Sequence, residues 1–339
     1  MRAAVLEGTK KLVVKEIPKP EPKDSEILIK IKACGICGTD VKLYKGEYTA
    51  NIPVVLGHEF SGEVIATGKE VRNIKVGDRV VVDPNESCGV CNFCRTAQST
   101  FCQNLAAYGV LRDGGFAEYV VVNEKGTYKI PPDLSFEVAA FCEPVSCAIH
   151  AIDRAGIKAG ESVAIIGGGT QGQIILQLAR IAGATELIMI TRSKEKLDLA
   201  REFGATHLIR AGKENVKERI LEITDNQGVD VVIEAVGSVE TVEEAIELTK
   251  RGGRVIIFGF TPEKEKATFM PFDILSKELT IMGSWVNPYT FLRAISLLAK
   301  GKIKVEPLIS KKIKLDNIMD GFKLMMKKPK GFMKAIVEP

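Results

Sequence analysis

Ten consecutive residues, Val163-Ala-Ile-Ile-Gly167-Gly168-Gly169-Thr170-Gln171-Gly172, restrict the folding choices of this chain most sharply. They set a G-x-G-x-x-G run directly after an apolar stretch and directly before a segment with helical periodicity. In that setting each glycine has its own task. The first turns the chain tightly out of a strand, the second lets backbone approach a pyrophosphate, and the third lets the next helix pack on the strand. The free N–H groups at the helix N-terminus then face the anion. Gly167, Gly169, Thr170, Gln171 and Gly172 are therefore expected to cradle a dinucleotide. Without strand and helix around it, the same spacing would mean little.

The flanking sequence supplies the rest of such a domain. After Pro131-Pro132, residues Phe136–Ala155 read as helical. The apolar runs Ser162–Ile166, Leu187–Thr191, Val229–Glu234 and Arg254–Phe258 then alternate with amphipathic segments. Near-continuous apolar runs are what parallel strands covered on both faces require. The fold class is thus α/β, a doubly wound parallel sheet joined to a second, mostly-β domain.

Upstream, short β-type runs such as Glu26–Lys32, Gly62–Thr67, Arg79–Asp83 and Ala117–Asn123 are broken by Gly, Pro and Asp turns. A chain of 339 residues has length for two cores. The expected organisation is a mostly-β domain over 1–148 with a cysteine-bearing lobe at 85–105, a dinucleotide-binding domain over 149–284, and a return to the first domain over 285–339. Within that return, Phe291–Lys300 has helical amphipathicity and Lys334–Val337 reads as a strand.

Charge excludes some partners. Lys and Arg exceed Asp and Glu by only four and are interleaved with them, so no basic stripe offers itself to nucleic acid. No apolar run reaches the roughly 18 residues of a membrane span. The start, Met1-Arg2-Ala3-Ala4-Val5-Leu6, lacks the pattern of a secretory signal, so a cytoplasmic location is expected.

All eight cysteines fall between Cys34 and Cys147. Cys88, Cys91, Cys94 and Cys102 form C-x2-C-x2-C-x7-C, which can close around one tetrahedral Zn²⁺. Such a shell leaves no position for water or substrate and should hold a loop together rather than do chemistry. Free or redox-active thiols are the alternative, and the spacing speaks against them.

A second set of donors is mixed. Cys34-Gly-Ile-Cys37-Gly-Thr39-Asp40 follows a strand, Gly57-His58-Glu59-Phe60-Ser61-Gly62 comes about twenty residues later, and Glu143-Pro144 opens a third segment. Thiolate, imidazole and carboxylate together make a shell with room for a labile position. Alone, a Gly-His-Glu is an ordinary turn, and Cys34, Cys142 and Cys147 read as small packed residues. The combination carries the signal.

These segments resemble the zinc-containing medium-chain dehydrogenases over nearly the whole chain, and within them the sorbitol, threonine and related polyol dehydrogenases, which have Glu before Pro at the third segment. The resemblance implies a GroES-like catalytic domain beside a Rossmann domain, with two Zn²⁺ per chain. It implies a catalytic zinc on Cys37 and His58, with Glu59 and Glu143 binding directly or through water. Thr39 would pass the alcohol proton outward, or merely cap a turn. Many relatives have His where this chain has Lys42, and an exposed lysine is the simpler reading there. The resemblance also implies a homo-oligomer, dimer or tetramer, acting on a small-molecule polyol or sugar.

Cofactor choice is read at the end of the next strand, where an NAD enzyme usually has an acid for the ribose 2′-hydroxyl. This chain has Thr191-Arg192-Ser193, with Lys196 nearby. Arg192 can grip a 2′-phosphate and the hydroxyls can donate to it, which favours NADP. A solvated Arg192 would leave NAD open, and Glu195 adds repulsion. Val236 after one strand, and Phe258 and Gly259 after another, resemble the nicotinamide side of the family.

The run Gly283-Ser284-Trp285-Val286-Asn287 is closer to galactitol-phosphate enzymes than to sorbitol ones, and Trp285 either lines the substrate cleft or packs in a core or interface. Three readings follow: a polyol, sugar or sugar-acid dehydrogenase, a threonine 3-dehydrogenase, or a non-catalytic NADPH-binding relative.

Overall fold

The strand Glu26–Gly35 organises the first half of the molecule because its apolar residues point to both faces and are nearly all buried. The computed structural model describes all 339 residues, and they separate into two compact units. One comprises Met1–Ser146 with Asn287–Pro339, the other Cys147–Val286.

The chain opens with β1 (Arg2–Gly8), β2 (Lys11–Glu16), β3 (Glu26–Gly35), α1 (Gly38–Lys45), β4 (Val54–Val55), β5 (Glu59–Thr67) and β6 (Arg79–Val82). Next come β7 (Asn85–Glu86), α2 (Asn92–Arg95), β8 (Ala106–Ala107), β9 (Tyr119–Asn123), β10 (Thr127–Lys129), α3 (Phe136–Ala139) and α4 (Cys142–Ala155). The second unit adds β11 (Ser162–Ile166), α5 (Thr170–Ala182), β12 (Glu186–Thr191), α6 (Lys194–Glu202), β13 (His207–Arg210) and α7 (Val216–Ile223). It continues with β14 (Val229–Glu234), α8 (Val239–Leu248), β15 (Thr249–Ile257), α9 (Pro271–Lys277) and β16 (Thr280–Gly283). The last elements are α10 (Phe291–Ala299), β17 (Ile309–Lys314), α11 (Ile318–Lys327) and β18 (Lys334–Glu338).

In the first unit a sheet runs β10-β6-β5-β3-β18-β17, with β9 also pairing β3. β18 joins β3 through Ile336↔Gly35 and Val337↔Cys34, so the last residues of the chain lie beside the first cysteine segment. A smaller β2-β1-β4 sheet packs into the same core, around Leu6, Ile29, Leu56, Phe60, Phe116 and Phe322. α10 docks through Phe291, Ala294, Ile295 and Leu298, spaced at helical repeats.

In the second unit six parallel strands run β13-β12-β11-β14-β15-β16. This is the doubly wound order, with its topological switch between β11 and β14. All five residues of β11 are buried, as a central parallel strand demands.

Sequence periodicity differs from the structure in two places. Residues Phe136–Ala155 are two helices, α3 and α4, because the Phe141 N–H between them donates to the Val138 carbonyl, three residues back at 3.0 Å, rather than four. The strand β13 has no apolar run to announce it, since its four residues include His207 and Arg210 and only Ile209 is buried.

Candidate active site

Two metal-competent clusters occur in the first unit. In the first, the sulfurs of Cys88, Cys91, Cys94 and Cys102 lie within 4.8 Å of one another. Cys91 and Cys94 approach to 3.5 Å, Cys88 and Cys94 to 3.9 Å, and the Cys88 N–H donates to the Cys102 sulfur at 3.2 Å. Backbone N–H groups of Val90 and Cys91 aimed at Cys88 bring its thiol down to about 6. α2 buries none of its residues, and Val90 and Phe101 are exposed. With so little apolar burial the lobe needs a metal in place of a core, and four thiolates fit tetrahedral zinc.

The second cluster is assembled from three strands and a helix. Cys37 caps α1, and its N–H is accepted at 2.7 Å by Asp40 Oδ2 one turn on. His58 and Glu59 enter β5 from Gly57, whose φ of +94° is glycine's region, and a Cβ there would sit 2.8 Å from the Cys34 sulfur and Phe116. A Cβ on Gly35 would lie 2.1 Å from Glu59 Oε2, so β3 can pair here only through glycine. Cys37, His58 and Glu59 thereby bring one ligand atom each within 4.8 Å of the others.

The surrounding charges sort these donors. Asp40, fully buried, holds Oδ1 3.3 Å from His58 Nδ1, which leaves Nε2 for a metal. Burial alone would depress His58, but Asp40 and then Cys37 outweigh it and hold the ring well above its usual range. Such a ring gives up a proton when a cation binds. Glu59 is 1 % exposed, and both its oxygens accept from Lys334 Nζ of β18, at 2.7 and 2.6 Å. Burial disfavours the Lys334 charge, yet Glu59, Cys37 and Glu143 keep its pKa raised.

Glu143 is buried at the start of α4 and stands outside the group of three ligand atoms. Thr39 Oγ1 lies 3.7 Å from the Cys37 sulfur. Cys34 and Cys142 are fully buried, and burial raises both thiols. The donor set of thiolate, imidazole and carboxylate fits zinc with an exchangeable position.

Sequence reasoning missed three groups here. Asp40 is signalled only by its place three residues after a helix cap. Lys334 is signalled only as the one charge in the otherwise apolar run Lys334-Ala-Ile-Val. The third is a half-buried network in which Asp83 accepts from the Asn85 N–H at 3.0 Å and from Asn287 Nδ2 at 3.3 Å. Asn287 also donates to Ser146 Oγ at 2.9 Å. Burial lifts Asp83 to about 6 against these hydrogen bonds.

In the second unit the glycine loop divides by cause. Gly167 has φ +113°, and a Cβ on Gly172 would stand 1.8 Å from the Gly167 carbonyl oxygen, so the protein itself requires both. Gly169, the N-cap of α5, has ordinary φ and nothing within 4 Å of a Cβ. Its small size keeps open space at the helix N-terminus, which fits a dinucleotide pyrophosphate. Thr170 and Gln171 open α5.

Thr191 and Lys196 pack on Gly168, and buried Gln173 donates to the Lys196 carbonyl at 2.8 Å, tying this loop to α6. Arg192 is exposed, and the Ser193 hydroxyl donates to Glu195 at 2.7 Å. Arg210 of β13, paired with Thr191, donates to the Arg192 carbonyl at 3.4 Å, a second cation that sequence reading did not find. Val236, and Phe258 with Gly259, follow β14 and β15.

Residues 23–132 match the alcohol dehydrogenase GroES-like domain, and residues 172–300 match the zinc-binding dehydrogenase domain. The chain is 34% identical to a sorbitol dehydrogenase of Bacillus subtilis (strain 168), across 100% of this chain and 97% of that protein. It is 37% identical to an L-threonine 3-dehydrogenase of Pyrococcus furiosus, across 93% and 91%. A crystal structure of a zinc-binding dehydrogenase from Sinorhizobium meliloti 1021 bound to NADP superposes with a TM-score of 0.95 at 44% identity, covering 100% of this chain and 99% of that one.

Proposed function

This chain belongs to the zinc-dependent medium-chain dehydrogenases, and from that premise we propose that it interconverts a secondary alcohol of a polyol, sugar or sugar acid with its carbonyl, using NADP. The observation that carries the reading is the convergence of a half-buried Cys37 on the buried His58 and Glu59, with Asp40 behind the imidazole. Zn²⁺ bound there supplies Lewis acidity toward an alcohol or carbonyl oxygen.

The chain's own residues do the rest. Asp40, with Oδ1 3.3 Å from His58 Nδ1, holds the imidazole by charge and leaves its other nitrogen for the metal. Lys334 balances the Glu59 charge, so the site keeps electrophilic character. Glu143 and Glu59 are the carboxylates that complete the shell, directly or through water. Thr39 carries the alcohol proton outward. Gly167, Gly169, Thr170, Gln171 and Gly172 hold the pyrophosphate, and Val236, Phe258 and Gly259 the nicotinamide end.

Arg192 and Arg210 at adjacent strand ends, with Thr191, Ser193 and Lys196 beside them, support recognition of a 2′-phosphate. The NADP in the Sinorhizobium relative agrees with this. The likeness to the sorbitol dehydrogenase supports a polyol, and the likeness to the threonine 3-dehydrogenase keeps a 2-amino-3-hydroxy acid as the second reading. We place the enzyme in the cytoplasm as a homo-oligomer, a dimer or tetramer. Exposed Phe269, Met270, Phe272 and Leu275 around α9, near the edge strand β16, support that assembly.

The test is absorbance at 340 nm with zinc-loaded protein, NAD or NADP, and a panel of polyols, polyol phosphates, sugar acids and threonine. Reduction of NADP by a polyol or sugar derivative, abolished by chelation, is the expected result. Reduction by threonine alone would establish the second reading, and silence throughout would overturn both.

A further inference from the structure

The carboxylate of Glu234 is fully buried at the carboxyl end of β14 and has two unequal oxygens. Oε1 accepts from the Val236 N–H at 2.7 Å, the Gly237 N–H at 2.8 Å and the Thr241 hydroxyl at 2.8 Å. Oε2 has no hydrogen-bond partner. All three donors are uncharged, and no ion pair reaches the group. Three donors converge on one oxygen and none of them needs a proton from the carboxyl, the acceptor-only pattern of a carboxylate.

Glu234 also joins two loops. Its backbone carbonyl accepts from the N–H groups of Phe258 and Gly259, at 3.0 and 2.9 Å. A Cβ on Gly259 would meet Gly237 N at 2.2 Å and Glu234 Oε2 at 2.6 Å, and a Cβ on Gly237, at φ +80°, would meet Phe260 backbone at 2.7 Å. The loops after β14 and β15 are therefore closed on each other around one buried charge. A Cβ on Gly167 would in turn touch Val236 and Ala235, which puts these loops beside the glycine loop at the topological switch of the sheet.

We propose that Glu234 is a positioning residue of the dinucleotide site that also sets its redox preference, holding the two loops together while its unpaired negative charge favours the oxidised cofactor over the reduced one. The inference rests on the dinucleotide reading above. An oxidised nicotinamide ring is cationic and a reduced ring is neutral. A buried anion in the loops that carry the ring attracts the first and is nearly indifferent to the second, and low local dielectric preserves that difference.

The experiment is to measure dissociation constants of NADP and NADPH by tryptophan and nicotinamide fluorescence in the zinc-loaded enzyme and two variants. Glu234→Gln keeps the shape and an acceptor oxygen but removes the charge. It is expected to weaken NADP by about tenfold while NADPH changes by less than about threefold. Thr241→Val keeps the charge and removes one of its neutral donors, and it is expected to move the ratio the other way, toward NADP, by about twofold.

Equal weakening of both forms in Glu234→Gln reduces Glu234 to a structural brace and overturns the charge role. A Thr241→Val ratio that stays put or falls overturns it as well, even where Glu234→Gln fails to fold. Failure of the unaltered enzyme to bind either dinucleotide would overturn the cofactor site itself, a separate outcome.

Discussion

Cys88, Cys91, Cys94 and Cys102 gather on a lobe with Val90 and Phe101 exposed beside them, whereas His58 and Glu59 lie buried with a buried aspartate and lysine at their backs. The first set is one kind of donor, complete in itself, and its neighbours contribute backbone N–H groups. The second mixes three kinds of donor, and two of them are held by charged partners from other segments of the chain. Asp40 faces His58 and Lys334 faces Glu59. A closed set of four thiolates stabilises a loop, and an open mixed set is built for exchange at the metal. Environment as well as ligand identity separates the two roles.

This contrast can be broken most forcefully at Cys37. Cys37→Ser should lower turnover by at least about 10³-fold, through loss of the metal's Lewis acidity, while circular dichroism and the melting temperature stay close to those of the unaltered chain. A variant that unfolds would mean that the mixed site is structural after all. The mirror experiment is Cys91→Ser. There the lobe should lose its zinc and become open to limited proteolysis, at a cost of about 3 kcal/mol or more, with turnover per folded chain changed less than about threefold. A rate that collapses while the lobe stays protease-resistant would reverse the assignment.

Asp40→Asn sharpens the comparison, since the four-thiolate cluster has no such partner. Zinc affinity at the mixed site should fall by about 10- to 100-fold with the lobe zinc untouched, as competition with a calibrated chelator would report. The smallest effect belongs to Asp83, two residues before the strand β7 that leads into the lobe. Its folded pKa of about 6 exceeds the 3.8 of an exposed aspartate. The group therefore favours folding at low pH, and that contribution is lost as pH rises through about 6. Asp83→Asn should remove this dependence, gaining about 2 kcal/mol relative to the unaltered chain at pH 8 over pH 4.5 in chemical denaturation. Parallel pH profiles would contradict it.

Local patterns made much of the fold legible. The strands of the parallel sheet announce themselves as apolar runs because both their faces are covered, and the glycine loop announces the switch point because backbone must turn and a helix must approach. The four lobe cysteines are legible because all of them fall within fifteen residues. What the sequence hides is whatever depends on pairing across distance. Lys334 reaches Glu59 only because β18 pairs with β3, which pairs with β5, and no periodicity records that. β13 is hidden because a four-residue edge strand needs only one buried side chain, and Arg210 is hidden with it. Glu234 reads as the polar end of an apolar strand, and its buried, half-satisfied carboxylate becomes visible only with the neighbouring loops in place.

This chain is expected to hold one closed zinc and one exchangeable, catalytic zinc, the second on Cys37 and His58. Counting zinc per chain by mass spectrometry in the unaltered protein and in Cys37→Ser tests it most directly. Two ions are expected in the first and one in the second, the remaining ion resisting chelation in the lobe. Two ions retained in Cys37→Ser would contradict it.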